Sequence, residues 1–316
     1  MLRQLLGRIL LAGAGASLAY LLAAGSLDPR AELADRSPRP PQAAVTARLG
    51  ELNLDGPLLR RYLTWVSGVA HGDFGETLDG APTGPELGRR AWVSLRLVVA
   101  GAVLGTFGGV LAGALGAFRQ HGLVDRALTA GTLVLVSVPV FALAVLLQTG
   151  AQWANTRTGT RLFVWTGEYA PGGPAGLGGR MRHLLLPTVS IALGQAALCA
   201  RYQRGMMLDA LNAGYVRTAM AKGLRRRRAL LRHALRVAVI PMTTFATYAF
   251  AALLTGAAIT EKIFAWHGMG EWLLDSIHAD DVNAVAACGC AAAVTVSAAG
   301  LLADLARAAL DPRARP

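Results

Sequence analysis

The side chains best suited to chemistry in this 316-residue sequence are two lysines, six histidines and three cysteines. A lysine binds the terminal phosphates of ATP when it follows glycine and precedes serine or threonine in a P-loop. Here Lys222 precedes Gly223 and Lys262 precedes Ile263, so neither lysine belongs to such a loop. The sequence also contains no Gly-x-Ser-x-Gly elbow and no His-Glu-x-x-His pair. We therefore predict that the chain is not an enzyme and binds no ATP itself.

The histidines and cysteines form no metal or redox pattern. The histidines stand at positions 71, 121, 183, 233, 267 and 278, and no two have the spacing that places two ligands on one helix face. Cys199, Cys288 and Cys290 lie in or beside apolar segments, and the spacing Cys-Gly-Cys is typical of neither zinc nor redox sites. We predict no metal site, no cofactor and no catalytic residue.

Long apolar segments determine the fold class. Hydrophobic residues make up 53% of the chain and charged residues only 16%. A helix needs roughly 17 to 25 apolar residues to cross a hydrocarbon core of about 30 Å. Six segments meet that length, at 9–27, 97–118, 127–147, 184–200, 237–260 and 282–303. We therefore predict an all-α integral membrane protein with six transmembrane helices. A cleaved signal peptide is the alternative for the first segment, but its apolar region is long and its cleavage site is loose.

Basic residues orient these spans, because short loops rich in arginine and lysine stay in the cytoplasm. With the N-terminus inside, the cytoplasmic segments hold seventeen basic residues against four acidic ones, and the exterior segments hold thirteen against fifteen. We therefore predict a multi-pass protein of the cytoplasmic membrane with both termini in the cytoplasm. This topology explains the net charge of +12 better than nucleic-acid binding does. No aromatic residues interleave with the four arginines at 225–228, which we interpret as a solvated face near anionic membrane lipid.

The predicted spans divide the chain into segments. They are an N-terminal transmembrane helix at 1–27, an extracytoplasmic loop at 28–90, a membrane core at 91–305 with a cytoplasmic loop at 201–236, and a cytoplasmic tail at 306–316. The first exterior loop begins with an irregular proline-rich stretch at 37–41. Residues 58–66 have helical apolar spacing, with a tyrosine and a tryptophan suited to the outer membrane surface. A second exterior loop at 149–182 is rich in glycine and proline, and we expect little regular structure there.

The spans contain few groups that could couple transport to an ion. Ionisable side chains inside a membrane are costly and are typical of proton or ion pathways. Arg96 lies near the outer end of its span, and Gln148 and Gln195 are neutral. Ion-coupled secondary transport is therefore disfavoured. The second span is instead rich in glycine, which predicts close helix packing at Gly101, Gly105, Gly108, Gly109 and Gly113.

Two glycines bracket a short helical segment in the cytoplasmic loop. Gly214 and Gly223 can end helices, which leaves an eight-residue element at 215–222 of about 12 Å. An apolar stripe at i+3 and i+4 spacing is predicted through Leu208, Leu211, Tyr215 and Ala219. We interpret this element as a docking helix for a cytosolic partner. An ordinary interfacial helix is the alternative.

Several motifs follow one another along the chain. The cytoplasmic loop reads Tyr-Val-Arg-Thr-Ala-x-Ala-Lys-Gly-Leu at 215–224, Leu-Arg-His-Ala-Leu-Arg at 231–236 and Ile-Pro at 240–241. The other motifs are Leu-Asp-Gly-Pro at 54–57, Tyr-Leu-x-Trp at 62–65, Gly-Asp-Phe-Gly at 72–75, His-Leu-Leu-Leu-Pro at 183–187, Thr-Glu-x-Ile-Phe-x-Trp-x-Gly-x-Gly at 260–270 and Asp-Pro-Arg at 311–313. Together, over essentially the whole chain, they resemble the peptide/nickel branch of ABC importer permeases, the binding-protein-dependent inner-membrane subunits.

The resemblance implies a type I ABC importer permease fold and a role in import of di- or oligopeptides. It also implies three kinds of protein partner: a second, homologous permease subunit, cytoplasmic ABC ATPase subunits that hydrolyse ATP, and an extracytoplasmic substrate-binding protein. Nickel or another small solute is the alternative substrate within the class. A secondary transporter and a membrane scaffold without transport are the alternatives from other classes. Substrate-binding residues are not predicted.

The resemblance further implies that the bracketed helix couples to an ATPase subunit. The residues that carry this expectation are Tyr215, Val216, Arg217, Ala219, Lys222, Gly223 and Leu224. A direct ATPase contact is then the alternative role for the four arginines that follow. The sequence departs from the broader family's Glu-Ala-Ala pattern, because Arg217, Thr218 and Ala219 occupy those positions. Gly214 replaces a polar capping residue, and His267 replaces an expected proline in an exterior loop.

Overall fold

A computed structural model describes residues 2–168 and 177–310 of the chain, which are predominantly helical. The helices are α1 (Leu2–Ser26), α2 (Pro29–Ala34), α3 (Gln42–Glu51), α4 (Leu58–Ala70), α5 (Thr83–Phe118), α6 (Leu123–Ser137), α7 (Val140–Thr158), α8 (Leu177–Asn212), α9 (Gly214–Ala221), α10 (Arg226–Ala229), α11 (Leu235–Phe264), α12 (Met269–His278) and α13 (Val282–Leu310), with a π-helical turn at Leu230–Ala234 before α11. The motif at 311–313, the end of the predicted tail and part of the second exterior loop lie outside the described residues.

Within the described residues, five helices are long and apolar enough to cross a membrane. The five candidate spans are Leu5–Ser26, Thr83–Phe118, Gly178–Asn212, Arg227–Leu253 and Val282–Leu305. A bent pair, α6 and α7, supplies a sixth span if it is counted as one. The predicted all-helical membrane fold is therefore confirmed. The division into loop, core and tail segments stays a prediction, as does the cytoplasmic location of the termini.

The segment at 127–147, predicted as one helix, is divided between α6 and α7. The two helices meet at an angle of 106° across Val138 and Pro139. Proline has no N–H to donate within a helix, and it disfavours helical backbone at the residue before it. Val138 accordingly has an extended backbone, with φ −85° and ψ 123°. The prediction of one continuous helix is wrong because hydropathy alone does not register this break.

The second exterior loop is more regular than predicted. Helix α7 continues to Thr158 and α8 begins at Leu177, so both ends of the interval 149–182 are helical. Gly159 ends α7 in the left-handed conformation, with φ 65°. The Asn155 side chain then donates to the carbonyl of Phe163 at 2.8 Å and accepts its N–H at 3.0 Å. These bonds fix the described part of the connection against α7.

The chain divides into two compact units, Met1–Leu95 with His267–Ala298 and Arg96–Trp266 with Ala299–Pro316. In the first unit, α4 packs against α1. The rings of Tyr20 and Trp65 stack with centroids 4.7 Å apart, and the Tyr62 hydroxyl donates to the Ser17 hydroxyl at 2.8 Å. The predicted helix near 58–66 is thus present, but Trp65 is buried against α1. Its placement along the outer membrane surface stays a prediction.

Asp281 joins the start of α13 to the segment before α5 in the same unit. One carboxylate oxygen accepts the N–H of Ala284 at 3.0 Å, and the other accepts the N–H of Leu78 at 2.9 Å. The residue is 6% exposed. This burial raises the pKa of the Asp281 carboxyl, although the backbone donors act in the opposite direction. The folded protein therefore holds the Asp281 proton more tightly than the unfolded chain does.

We expect the stability of Asp281→Asn relative to wild type to increase as the pH rises from about 4, the ordinary pKa of aspartate, to neutrality. The stabilising contribution of a raised pKa is present at low pH and is lost as the pH passes the folded-state value. Asparagine does not titrate, so the stability of the variant contains no contribution from this proton and loses none as the pH rises. Thermal unfolding of the purified protein across this pH range measures the difference. Asp35→Asn, at an exposed position, is the control, and a pH-independent difference for Asp281→Asn would contradict the expectation.

In the second unit, glycines allow α5 and α8 to approach closely. A Cβ added at Gly101 would lie 2.5 Å from Ile191, and one at Gly113 would lie 2.4 Å from the carbonyl oxygen of Ala200. Gly105 and Gly109, which lie between them at the same four-residue spacing, make similar contacts. Close packing is confirmed for these four glycines. A Cβ at Gly108 would meet nothing within 4 Å, so that glycine does not belong to the contact.

Candidate functional site

The predicted docking helix is α9, and the residue before it sets its start. Helix α8 ends at Asn212, and Ala213 has an extended backbone, with φ −71° and ψ 144°. Helix α9 then runs from Gly214 to Ala221, one residue earlier than the predicted interval 215–222. The extended residue separates α9 from α8, so the two are distinct elements.

A hydrogen-bonded cap ends α9 at Lys222. The N–H of Leu224 donates to the carbonyl of Ala219 at 3.1 Å, and the N–H of Gly223 donates to that of Met220 at 2.9 Å. This pair of bonds is the Schellman motif, in which the residue after the cap is left-handed. Gly223 has φ +89°, which glycine adopts without opposition from a Cβ. Gly223 therefore sets both the end of the helix and the direction of the following chain.

Val216 anchors α9 on its inner side. Its side chain is fully buried, and burial of a valine contributes about 1.5 to 3 kcal/mol. The buried cluster around it also contains Ala117, Met207, Ala210, Ala229, Leu230, Ala234 and Ala238. Leu224, the residue after the capping glycine, packs against the same cluster. Both ends of α9 are thus attached to a core formed by α5, α8 and the start of α11.

The opposite face of α9 is open. The Tyr215 side chain is 43% exposed, and Arg217 is also exposed. Thr218 and Ala221 are exposed and small, which leaves room for another surface to approach the helix backbone. From 214 to 234 the sequence has seven basic residues and no acidic one. This face offers a partner an aromatic ring, a surface of small side chains and positive charge.

The structure separates the seven residues predicted for ATPase coupling by their exposure. The four exposed residues are Tyr215, Arg217, Lys222 and Gly223. Ala219 and Leu224 are half-buried, and Val216 is buried. Their role in coupling stays a prediction. The stripe predicted through Leu208, Leu211, Tyr215 and Ala219 is wrong, because α8 ends before α9 begins. Leu208 and Leu211 pack against the buried cluster, whereas Tyr215 is exposed.

An ion pair that the sequence analysis did not predict connects α8 with α6. The Arg204 guanidinium donates to both carboxylate oxygens of Asp125, from Nε at 2.7 Å and from Nη2 at 2.9 Å. Asp125 is 4% exposed and also accepts the N–H of His121 at 3.0 Å. The pair fixes the first turn of α6 to α8, which leads into α9. Its members are 79 residues apart in the chain, so local spacing gives no signal of the contact.

Arg204→Ala is expected to lower the free energy of unfolding by about 3 kcal/mol, because it leaves the Asp125 carboxylate buried without its cation. Replacing both partners, as in Arg204→Ala with Asp125→Ala, is expected to cost less than the single change. Thermal unfolding of the detergent-solubilised protein measures both. Arg201→Ala, at an exposed arginine one turn earlier on α8, is the control. Equal melting temperatures for Arg204→Ala and Arg201→Ala would show that the pair contributes little.

The described residues offer no evident metal centre. No group of three or more histidine, cysteine, aspartate or glutamate side chains lies close enough to hold an ion within 2–168 and 177–310. The three cysteines are free and buried.

Comparison with known proteins identifies similar sequences and folds. Residues 105–316 match the family described as the inner membrane component of binding-protein-dependent transport systems. The oligopeptide transport system permease protein OppB of Mycobacterium tuberculosis is 50% identical over 317 aligned positions, covering 99% of this chain and 98% of that protein. The dipeptide transport system permease protein DppB of Escherichia coli is 30% identical, covering 84% of each. The inward-facing MetNI methionine ABC transporter has a similar fold, with a TM-score of 0.56 and 17% identity over 71% of this chain and 96% of that one.

Proposed function

Because this chain belongs to the family of inner membrane components of binding-protein-dependent transport systems, we propose that it imports di- and oligopeptides across the cytoplasmic membrane. The chain is a multi-pass inner membrane protein with the type I ABC permease fold, and it is a transport permease subunit. The observation that carries the peptide assignment is the 50% identity to oligopeptide permeases over 99% of the chain. Nickel or another small solute is the alternative cargo.

The partners of this subunit follow from what one chain of this type lacks. A second, homologous permease completes the translocation pathway, of which this chain forms half. Separate ATPase subunits hydrolyse ATP, since neither lysine of this chain belongs to a P-loop. An extracytoplasmic binding protein delivers the substrate. The basic residues concentrated on one side of the predicted topology support cytoplasmic termini and contact with anionic lipid.

The α9 helix is the element through which ATP-driven movement of an ATPase subunit reaches the membrane helices. Two features of α9 support this role. Its outer face carries small side chains beside Tyr215 and Arg217, and its inner side is attached through Val216 to a cluster that includes residues of α5, α8 and α11. Force applied at the outer face is therefore transmitted to three long helices through close-packed side chains.

The peptide assignment is tested by reconstituting the complete transporter with its binding protein and measuring ATP-dependent uptake of labelled dipeptides and oligopeptides. Saturable peptide uptake that unlabelled peptides inhibit and nickel does not inhibit is the expected result. Uptake of nickel without uptake of peptide would establish the alternative cargo. Uptake driven by an ion gradient without ATP would exclude the ABC importer role.

Tyr215→Asp is expected to reduce ATP-dependent uptake by roughly tenfold or more, as loss of an aromatic interface anchor costs 2 kcal/mol or more. Because Tyr215 is exposed, we expect the substitution to change the free energy of unfolding by no more than about 0.5 kcal/mol, as is usual for surface positions. Asn212→Asp adds a carboxylate just before α9 without altering it, and serves as the charge control. Co-purification of the ATPase subunits with each full-length variant separates docking from folding. Wild-type uptake and docking in Tyr215→Asp would contradict coupling through this face.

A further inference from the structure

A basic cavity of about 320 Å³ lies within the second compact unit, between α5, α6 and α8. Two arginines and two threonines supply its polar side chains, namely Arg201, Arg204, Thr129 and Thr132. Its other lining residues are glycine, alanine and leucine, and none of the lining residues is acidic. The cavity therefore suits a molecule that joins a negative charge to an apolar part.

Arg201 supplies a positive charge that the protein does not neutralise. The residue is exposed, and within 2–168 and 177–310 its side chain forms no ion pair or hydrogen bond. Arg204 differs, because its Nε and Nη2 atoms both donate to the Asp125 carboxylate. Asp125 thus balances the charge of Arg204 and leaves that of Arg201. An anion that enters the cavity meets one accessible, unpaired guanidinium.

The threonines add neutral hydrogen-bonding groups to the same wall. The Thr132 hydroxyl donates to the carbonyl of Thr129 at 3.0 Å. The Thr129 hydroxyl has no such bond in the part of the chain that the structure describes, and Thr129 is exposed. A hydroxyl can donate to an anionic oxygen as well as accept. Thr129 and Arg201 therefore both offer donors that a bound molecule can reach.

The cavity lies at the ends of three predicted spans. Arg201 directly follows the apolar segment 184–200, and Thr129 lies near the start of the segment 127–147. Helix α8 continues from this end towards α9, which is cytoplasmic in the proposed topology. The inner leaflet of a membrane carries anionic lipids, and basic pockets between spans on the cytoplasmic side bind their headgroups.

Long aliphatic side chains extend the cavity along the helix surfaces. Leu128 and Leu133 of α6 line the cavity, and Leu133 is exposed. On α5, the exposed residues Leu111 and Leu115 each precede a lining residue. A small soluble anion gains nothing from such a surface, whereas an acyl chain does. The combination of Arg201 with these leucines therefore favours an amphiphile.

From its charge, its position and its apolar border, we infer that this cavity binds one anionic phospholipid of the inner leaflet. The lipid phosphate accepts hydrogen bonds from the Arg201 guanidinium, whose planar donors match phosphate oxygens, and from the Thr129 hydroxyl. An acyl chain lies along Leu133 and the leucines of α5. The bound lipid thus joins α6 to α8 beside the pair of Arg204 with Asp125. This site goes beyond the proposed function and does not depend on the cargo.

The test is thermal unfolding of the full-length permease in uncharged detergent, titrated with dioleoyl phosphatidylglycerol or dioleoyl phosphatidylcholine. A ligand that binds only the folded protein raises the melting temperature as its concentration rises. Phosphatidylglycerol is expected to raise it, and phosphatidylcholine, which has no net charge, to have little effect. Arg201→Ala is expected to weaken the apparent affinity for phosphatidylglycerol by roughly tenfold or more. Gly205→Leu fills the cavity at an exposed glycine where a Cβ meets nothing within 4 Å, and is expected to abolish the rise.

The matched controls are Arg126→Ala and Gly131→Leu, at exposed residues of α6 outside the cavity wall. Both are expected to respond to phosphatidylglycerol as wild type does. Equal responses of Arg201→Ala and Arg126→Ala would show that the lipid acts through general charge and that the site is wrong. An equal rise with phosphatidylcholine, or with inorganic phosphate alone, would overturn the assignment to an anionic lipid. Should Gly205→Leu fail to fold, the comparison of Arg201→Ala with Arg126→Ala decides.

Discussion

Gly109→Leu is expected to prevent stable folding of the second compact unit, whereas Gly108→Leu leaves it intact. A Cβ at Gly109 would lie 2.5 Å from the Cβ of Cys199 and 2.6 Å from the carbonyl oxygen of Ala196. The carbonyl belongs to the backbone of α8, which cannot move aside as a flexible side chain would. Overpacking costs about 1 to 3 kcal/mol in cores that can adjust, and we expect a loss at the top of that range or beyond.

Gly108→Leu is the matched control because it adds the same side chain to the neighbouring residue of α5, where a Cβ meets nothing within 4 Å. The measurement is the yield and melting temperature of the two detergent-solubilised variants. Gly109→Leu is expected to yield little folded protein, and Gly108→Leu to resemble wild type. Similar melting temperatures for the two variants would show that α5 and α8 separate easily, and that the glycine contact is not structural.

Glycine spacing illustrates how far the sequence predicts this contact. Gly101, Gly105, Gly109 and Gly113 recur every four residues, so they lie on one helix face and predict a close neighbour. Composition alone groups Gly108 with them, although its position puts it on another face of the helix. The four-residue spacing therefore distinguishes the glycines that contact α8 from Gly108, which does not. The identity of the neighbouring helix did not follow from it, because α8 lies some eighty to ninety residues further along the chain.

At α9 too, neighbouring residues predict the local backbone, whereas the packing depends on residues far away in the chain. Gly223 predicts the end of the helix to within one residue, since its cap depends on a few neighbouring backbone groups. The prediction that Gly214 stops a helix is wrong, because Gly214 is the first residue of α9 and the break lies at the extended Ala213. Which face is buried depends on residues as distant as Ala117, which no local spacing identifies. The pair of Arg204 with Asp125 and the cavity between α5, α6 and α8 also bring together residues far apart in the chain. The break between α6 and α7 has a local signal in Pro139, which the apolar window conceals.

The conformation of Gly223 predicts a graded series of transport defects. At φ +89°, asparagine is tolerated best after glycine, and alanine is opposed by its Cβ at a cost of roughly 1 to 2 kcal/mol. Proline cannot adopt a positive φ, and it lacks the N–H that donates to the Met220 carbonyl. ATP-dependent peptide uptake is expected to decrease from Gly223→Asn to Gly223→Ala, and to be abolished in Gly223→Pro.

The three Gly223 variants distinguish a loss of coupling to the ATPase from a loss of folded protein. Gly223 is exposed, and the buried anchor Val216 is unchanged in all three variants. Membrane level and binding of the ATPase subunits are measured beside uptake for each variant. We expect Gly223→Pro to reach the membrane and to lose productive ATPase docking, because the turn after α9 no longer directs the chain back towards the cluster that receives Leu224. Uptake by Gly223→Pro equal to that of Gly223→Asn would exclude the α9 cap from the coupling mechanism, whatever the cargo of the transporter.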